Sequence, residues 1–178
     1  VCISSLLHEA KPESLEEAGV KTSGRTERVI DDFKRGFHDW YTINGNHRSL
    51  WQHWTRKVTD HKWRGPKSAK LALTIQSDQP NVLGIVLHEN TWRNYRGKKR
   101  TYVAEVKLKG GRAETVAWDL SDFKNLTDDL PLKSWDELDE LGFVAKTTIR
   151  GAQPIEVAAE PWQGPKPVFK RLEWQLED

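Results

Sequence analysis

The stretch Ala69-Lys-Leu-Ala-Leu-Thr-Ile-Gln-Ser-Asp-Gln-Pro-Asn-Val-Leu-Gly-Ile-Val-Leu87 decides the fold class. In its first half Ala69, Leu71, Leu73 and Ile75 alternate with Lys70, Ala72, Thr74 and Gln76, the period of two of a half-buried strand. Asp78, Pro80 and Asn81 then turn the chain. Val82 to Leu87 is apolar on both faces, as a central strand must be. The same period recurs outward in both directions. Tyr102, Ala104, Val106 and Leu108 alternate with Val103, Glu105 and Lys107 before Gly110-Gly111. Val116, Trp118 and Leu120 repeat it. In the closing run Val168, Leu172, Trp174 and Leu176 take one face, and Arg171, Glu173, Gln175 and Glu177 the other, with Lys170 out of step. Strands at such spacing with turn residues between them predict a sandwich of two antiparallel sheets, with Trp118 and Trp174 in its core.

One short helix is expected over 134–141. Ser134-Trp-Asp-Glu137 has the form of a capping box, Leu138 and Leu141 lie one helical turn apart, and Gly142 stands where a terminal glycine belongs. Asp119 to Lys124 leaves its strand into a turn. Residues 1–25 are rich in Ser, Glu, Pro and Gly and hold no Trp or Phe. They read as a linker or the tail of a preceding domain, with a short helix possible from Ser14. The sandwich module is placed at 26–178. The chain has no Met, so it is expected to be an excised or processed piece of a longer protein.

Composition removes several functions. Lys and Arg number 28 against 26 Asp and Glu, too even a balance to argue for nucleic acid from charge. A single cysteine, Cys2, excludes an internal disulfide and a zinc site built on paired cysteines. No apolar run is long enough to span a membrane as a helix. Phosphate-loop, dinucleotide-loop, nucleophile-elbow and paired-histidine zinc motifs are all missing. His47, His53 and His61 lack the spacing of metal ligands and suit a surface or a carbohydrate contact better.

The composition departs from average in tryptophan. There are nine Trp in 178 residues, where roughly one to two per hundred is usual. Two stretches interleave rings with Asn, Gln, His, Arg and Glu: Trp40 to Arg56, and His88-Glu-Asn-Thr-Trp-Arg-Asn-Tyr-Arg96. A pyranose shows an apolar C–H face ringed by hydroxyls, so a ring can stack on it while planar polar groups take the hydroxyls. The mixture also suits single-stranded nucleic acid. Trp54, Trp92 and Tyr95 are the stacking candidates, and Arg56, His88, Glu89 and Arg96 the hydroxyl-binding candidates. Trp54 and Trp92 divide evenly between core and binding face. Trp135 is expected at the core edge, and Trp40, Trp63 and Trp162 in loops, as anchors or binding rings. Arg93, Arg96, Lys98, Lys99 and Arg100 would serve an acidic or sulfated glycan, or form a solvated hairpin rim. Asp31, Asp32 and Glu173 stand at the two ends of the module, where first and last strands that are neighbours could share a structural calcium ion.

Four separated landmarks carry a family resemblance. Val29-Ile-Asp-Asp-Phe-Lys-Arg-Gly36 followed by Trp40 resembles the opening of galactose-binding-like jelly rolls, found in carbohydrate-binding modules of bacterial glycoside hydrolases and in complex I assembly factors. Trp118-Asp-Leu-Ser-Asp-Phe-Lys124 resembles their strand and turn. Leu132 to Phe143 resembles their short helix and following strand, and Leu172-Glu-Trp174 their last core strand. The resemblance covers residues 28 to 176. Lys34 departs from it, standing where the family has an acidic residue, so calcium would rest on Asp31, Asp32 or the C-terminal carboxylates. The resemblance implies an all-β jelly-roll sandwich with one short helix. It further implies a non-catalytic module that holds a polysaccharide near a tethered glycan-active enzyme, outside the cell or in the periplasm. The alternatives are a structural accessory domain that packs on a catalytic domain without binding glycan, marked by burial of most Trp residues, and a jelly-roll glycan lyase or hydrolase.

Overall fold

A computed structural model describes residues 28–38, 40–44, 51–55, 63, 65–89, 99–136, 138–149 and 154–176. Its strands are β1 (Val29–Asp31), β2 (Tyr41–Asn44), β3 (Trp51–Thr55), β4 (Lys70–Gln76), β5 (Asn81–Glu89) and β6 (Arg100–Leu108), then β7 (Ala113–Trp118), β8 (Lys124–Asn125), β9 (Leu138–Val144), β10 (Thr147–Ile149), β11 (Ile155–Val157) and β12 (Val168–Gln175). They form a four-stranded sheet in the order β1-β12-β4-β7 and a six-stranded sheet in the order β2-β3-β9-β5-β6-β8. All pairings are antiparallel. A separate hairpin joins β10 to β11. The fold is an all-β sandwich of the jelly-roll kind.

The alternating patterns become the two inner faces. Leu71, Leu73 and Ile75 of β4, with Leu172 and Trp174 of β12, meet Leu83, Ile85 and Leu87 of β5, Tyr102 and Leu108 of β6 and Leu141 and Phe143 of β9. Trp118 and Trp174 are both buried, as expected. At one end of this core Phe33, Phe37, Trp40, Trp51, Phe143, Trp162 and Phe169 gather ring against ring. Trp40, Trp63 and Trp162, placed in loops by sequence as anchors or binding rings, lie between strands with their rings in the core, as anchors do. His53 is also a core residue rather than a surface or carbohydrate-contact one. Its position in β3 shares the inward phase of Trp51, and its ring stacks on Phe37 with centroids 3.8 Å apart.

Two strand readings change. The expected helix at 134–141 is not there: Leu138–Val144 is strand β9, buried along its whole length between β3 and β5. The spacing of Leu138 and Leu141 suits a helix turn, but a strand covered on both faces shows no alternation, so periodicity could not separate the two. Ser134 and Asp136 close a local turn instead, and Trp135 is buried as the core's edge. In β12 the register shifts between Phe169 and Arg171. This bulge explains why Lys170 breaks the pattern, and it puts Phe169, not Val168, into the core; Val168 is 58% exposed. After β7 the chain turns through a short 3-10 helix at Leu120–Asp122, with the Asp122 carboxylate accepting the Asp119 N–H at 2.8 Å.

Candidate functional site

Trp54 is on the face of the six-stranded sheet that points away from the core. Alternation along β3 sends Trp51, His53 and Thr55 inward and Gln52 and Trp54 outward. Across the sheet Trp54 stands opposite Gly142 of β9, which stands opposite Val86 of β5, which stands opposite Val103 of β6. The Trp54 ring covers Gly142: a Cβ there would lie 2.5 Å from ring atom Cδ2. Only glycine leaves room for the indole to lie over the middle strand. Val86, Val144 and Val157 complete a small apolar cluster around it, and Trp54 is 7% exposed.

Polar groups fix this cluster in place. The Trp54 indole N–H donates to Gln52 Oε1 at 2.8 Å, and the Gln52 amide donates to Thr147 Oγ1 of β10 at 2.8 Å. His88, one outward position further along β5 than Val86, lies with its ring parallel to Trp54, centroids 5.5 Å apart and planes 2° apart. Its Nδ1 is 3.0 Å from Thr101 Oγ1. Burial pushes the His88 pKa down to about 4, with Lys99 adding to the shift and Glu140 and Asp139 opposing it. His88 is therefore neutral near pH 7 and offers one donor and one acceptor. Glu140 stands opposite His88 in the register and is buried with it.

The hairpin of β10 and β11 bounds this region. Val157 packs so closely on Gly84 that a Cβ there would meet Val157 Cγ1 at 2.5 Å. The Glu105 carboxylate accepts the backbone N–H of Ala158 at 2.7 Å, holding a residue whose φ is +50°. A non-glycine residue in the left-handed region is strained, and this hydrogen bond contributes to keeping it there.

Of the expected ligand groups, the structure brings Trp54 and His88 together. Glu89 takes the other face: its carboxylate accepts the Tyr102 hydroxyl at 3.4 Å, and Tyr102 belongs to the core. Arg56, Trp92, Tyr95 and Arg96 lie outside the described residues. Gln52, Thr101, Glu105, Glu140, Gly142 and Thr147 were not singled out from sequence. For Gln52 a signal existed, since Trp51-Gln-His-Trp54 already alternates; the others become neighbours only through strand order.

The carboxylates offered for calcium have other partners. Asp31 Oδ1 accepts the Phe33 backbone N–H at 2.8 Å and Oδ2 accepts the Trp40 indole N–H at 2.9 Å. Asp32 accepts the Lys34 backbone N–H, which with the Lys34 charge holds its pKa below the usual value. Glu173 pairs with Arg171 at 2.7 Å. Among the described residues no three His, Cys, Asp or Glu side chains gather as a metal site. Also among the described residues, no helix is long and apolar enough to cross a membrane.

No protein-family model and no curated protein matches the chain. Two solved structures are similar to it. One is a family 11 carbohydrate-binding module from Clostridium thermocellum in complex with a beta-1,3-1,4-mixed-linked tetrasaccharide, at TM-score 0.47 and 14% identity, covering 85% of this chain and 97% of that one. The other is the family 11 carbohydrate-binding module of the cellulosomal cellulase Lic26A-Cel5E of Clostridium thermocellum, at TM-score 0.48 and 15% identity, covering 88% of this chain and 99% of that one. Both are carbohydrate-binding modules.

Proposed function

We propose that this chain is a non-catalytic carbohydrate-binding module whose ligand lies at the end of the six-stranded sheet's outer face. The observation that carries the reading is the parallel pair of Trp54 and His88, with the Gln52 amide and the Thr101 hydroxyl held beside it. Fixed amide, imidazole and hydroxyl groups next to an apolar ring cluster match the alternating C–H and O–H surface of a sugar. Trp54 is packed, so the stacking role falls to Trp92 and Tyr95, which follow β5 in sequence. Such a module raises the local concentration of polysaccharide for a tethered glycan-active enzyme outside the cell or in the periplasm.

Affinity electrophoresis against a panel of neutral and acidic polysaccharides tests the reading. Retardation by at least one glycan, reduced in Trp92→Ala with an unchanged melting temperature, supports it. No retardation by any glycan overturns it. An unchanged affinity in Trp92→Ala moves the site to another face.

A second reading has its own observation. All eight described Trp residues are buried, the sign expected of a structural accessory domain that packs on a catalytic domain and binds no glycan. Calcium between the first and last strands is a separate proposal with its own test. It requires Asp31 to exchange Phe33 and Trp40 for the ion, so a chelator must lower the melting temperature of protein kept in calcium-containing buffer. An unchanged melting temperature removes it.

A further inference from the structure

Among the described residues, β7 is an edge strand without the usual protection. It ends the four-stranded sheet, pairing with β4 alone over six residues with no register shift. Among the described residues, no other element hydrogen-bonds to its backbone. Natural edges are blunted by shortness, bulges, Pro or charge. Three other edges follow that rule: β1 has three residues and a register shift, β8 has two residues, and the part of β6 beyond β8 carries Lys107; β2, the remaining edge of the six-stranded sheet, has four residues. β7 carries Ala113, Thr115 and Ala117 on its exposed face. Its single charge within the strand, Glu114, is turned back to accept the backbone N–H groups of Lys109 and Gly110.

We propose that β7 pairs antiparallel with β7 of a second copy about a two-fold axis through Thr115, making one continuous sheet across two molecules. The strand's own sequence selects that occupant and that register. Centred on Thr115, Ala113 faces the second copy's Ala117, Thr115 faces Thr115, and Glu114 faces Val116. Small side chains opposite small ones let the backbones approach; the Thr115 hydroxyl stays on Thr74 of its own sheet at 2.8 Å. Arg112 of each copy then lies opposite Trp118 of the other at both ends of the pairing. Sliding two residues to centre on Glu114 puts that carboxylate opposite its own copy, a like-charge pair that disfavours the alternative. A slide of one residue would turn the core faces of the two sheets to opposite sides.

Sedimentation velocity over a dilution series tests the pairing, on the full chain with Cys2→Ser to exclude chance cross-linking. The expected result is a reversible monomer–dimer equilibrium. Thr115→Lys places two ammonium groups opposite each other and should weaken dimerisation at least tenfold, with the monomer still folded although it loses the Thr115–Thr74 hydroxyl contact. Ala113→Glu with Ala117→Lys places opposite charges in register twice and should tighten it in low salt. Thr115→Cys in the same background should form a disulfide-linked dimer on mild oxidation, because facing Cα atoms in this register come within bridging distance. A chain that stays monomeric at every concentration overturns the proposal. So does a dimer that Thr115→Lys leaves intact.

Discussion

Gly142 shows at residue scale how a face is built from an absent side chain. Gly142→Ala puts a methyl group into the Trp54 ring, which also sits against Val86 and Val144. The indole must lift, so a loss of about 1–3 kcal/mol is expected, with a shift in tryptophan emission. Denaturant unfolding read by fluorescence checks both; an unchanged spectrum and midpoint would mean that the ring does not rest there. Asp31 makes a second residue-scale case. Asp31→Ala leaves the Trp40 indole N–H without its acceptor, and about 1–3 kcal/mol should be lost in thermal or denaturant melts. His53 and His88 set the acid limit. Burial first, then a nearby lysine, pushes both pKa values down to about 4, while the unfolded chain titrates near 6.5. Below 6.5 the unfolded state takes up protons that the folded state refuses. Stability is therefore full above about pH 6.5 and declines as pH falls toward 4. His53→Phe, keeping a flat ring against Phe37 and Phe169, should flatten that decline. A variant with the same slope as the parent would clear His53 of the effect.

At the scale of elements, β4, β5, β6 and β7 were legible from sequence because each has one dry and one wet face or lies centrally with two dry ones. β9 was not. Its neighbours β3 and β5 cover both edges, and Trp54 and the inner core cover both faces, so Leu138-Asp-Glu-Leu-Gly-Phe-Val144 carries no period at all. Gly142 then looked like a helix terminator, whereas the glycine is required by a ring arriving from another strand. The hairpin of β10 and β11 was invisible for a related reason: its residues pair only with each other, and its attachment runs through Val157 on Gly84, Thr147 with Gln52 and Ala158 with Glu105. Glu105→Ala should loosen it without opening the sandwich. Hydrogen exchange should speed up at Thr147–Ile149 and Ile155–Val157 and stay slow in β5 and β9. Equal loss of protection throughout would mean that hairpin and sandwich unfold as one unit.

For the whole molecule, tryptophan distinguishes a binding platform from a core. Trp174→Ala removes a ring packed on Trp135 and beside Gly65, and should cost about 3–5 kcal/mol of stability. Any loss of glycan retardation in that variant should follow unfolding, whereas Trp92→Ala should lose retardation at full stability. Melting and affinity measured on both variants separate the two roles. The sequence by itself determined the sandwich, the burial of Trp118 and Trp174, and the turn after β7, because alternation and turn residues are local and each strand records which of its sides is dry. The tertiary structure alone decided that Trp40, Trp63 and Trp162 are core rings, that β9 begins at Leu138 in place of a helix, and that Trp54 lies beside His88. Those outcomes depend on which strands become neighbours. β9 stands between β3 and β5, so Trp54 and His88, 34 positions apart in sequence, become parallel rings beside a glycine that neither could announce.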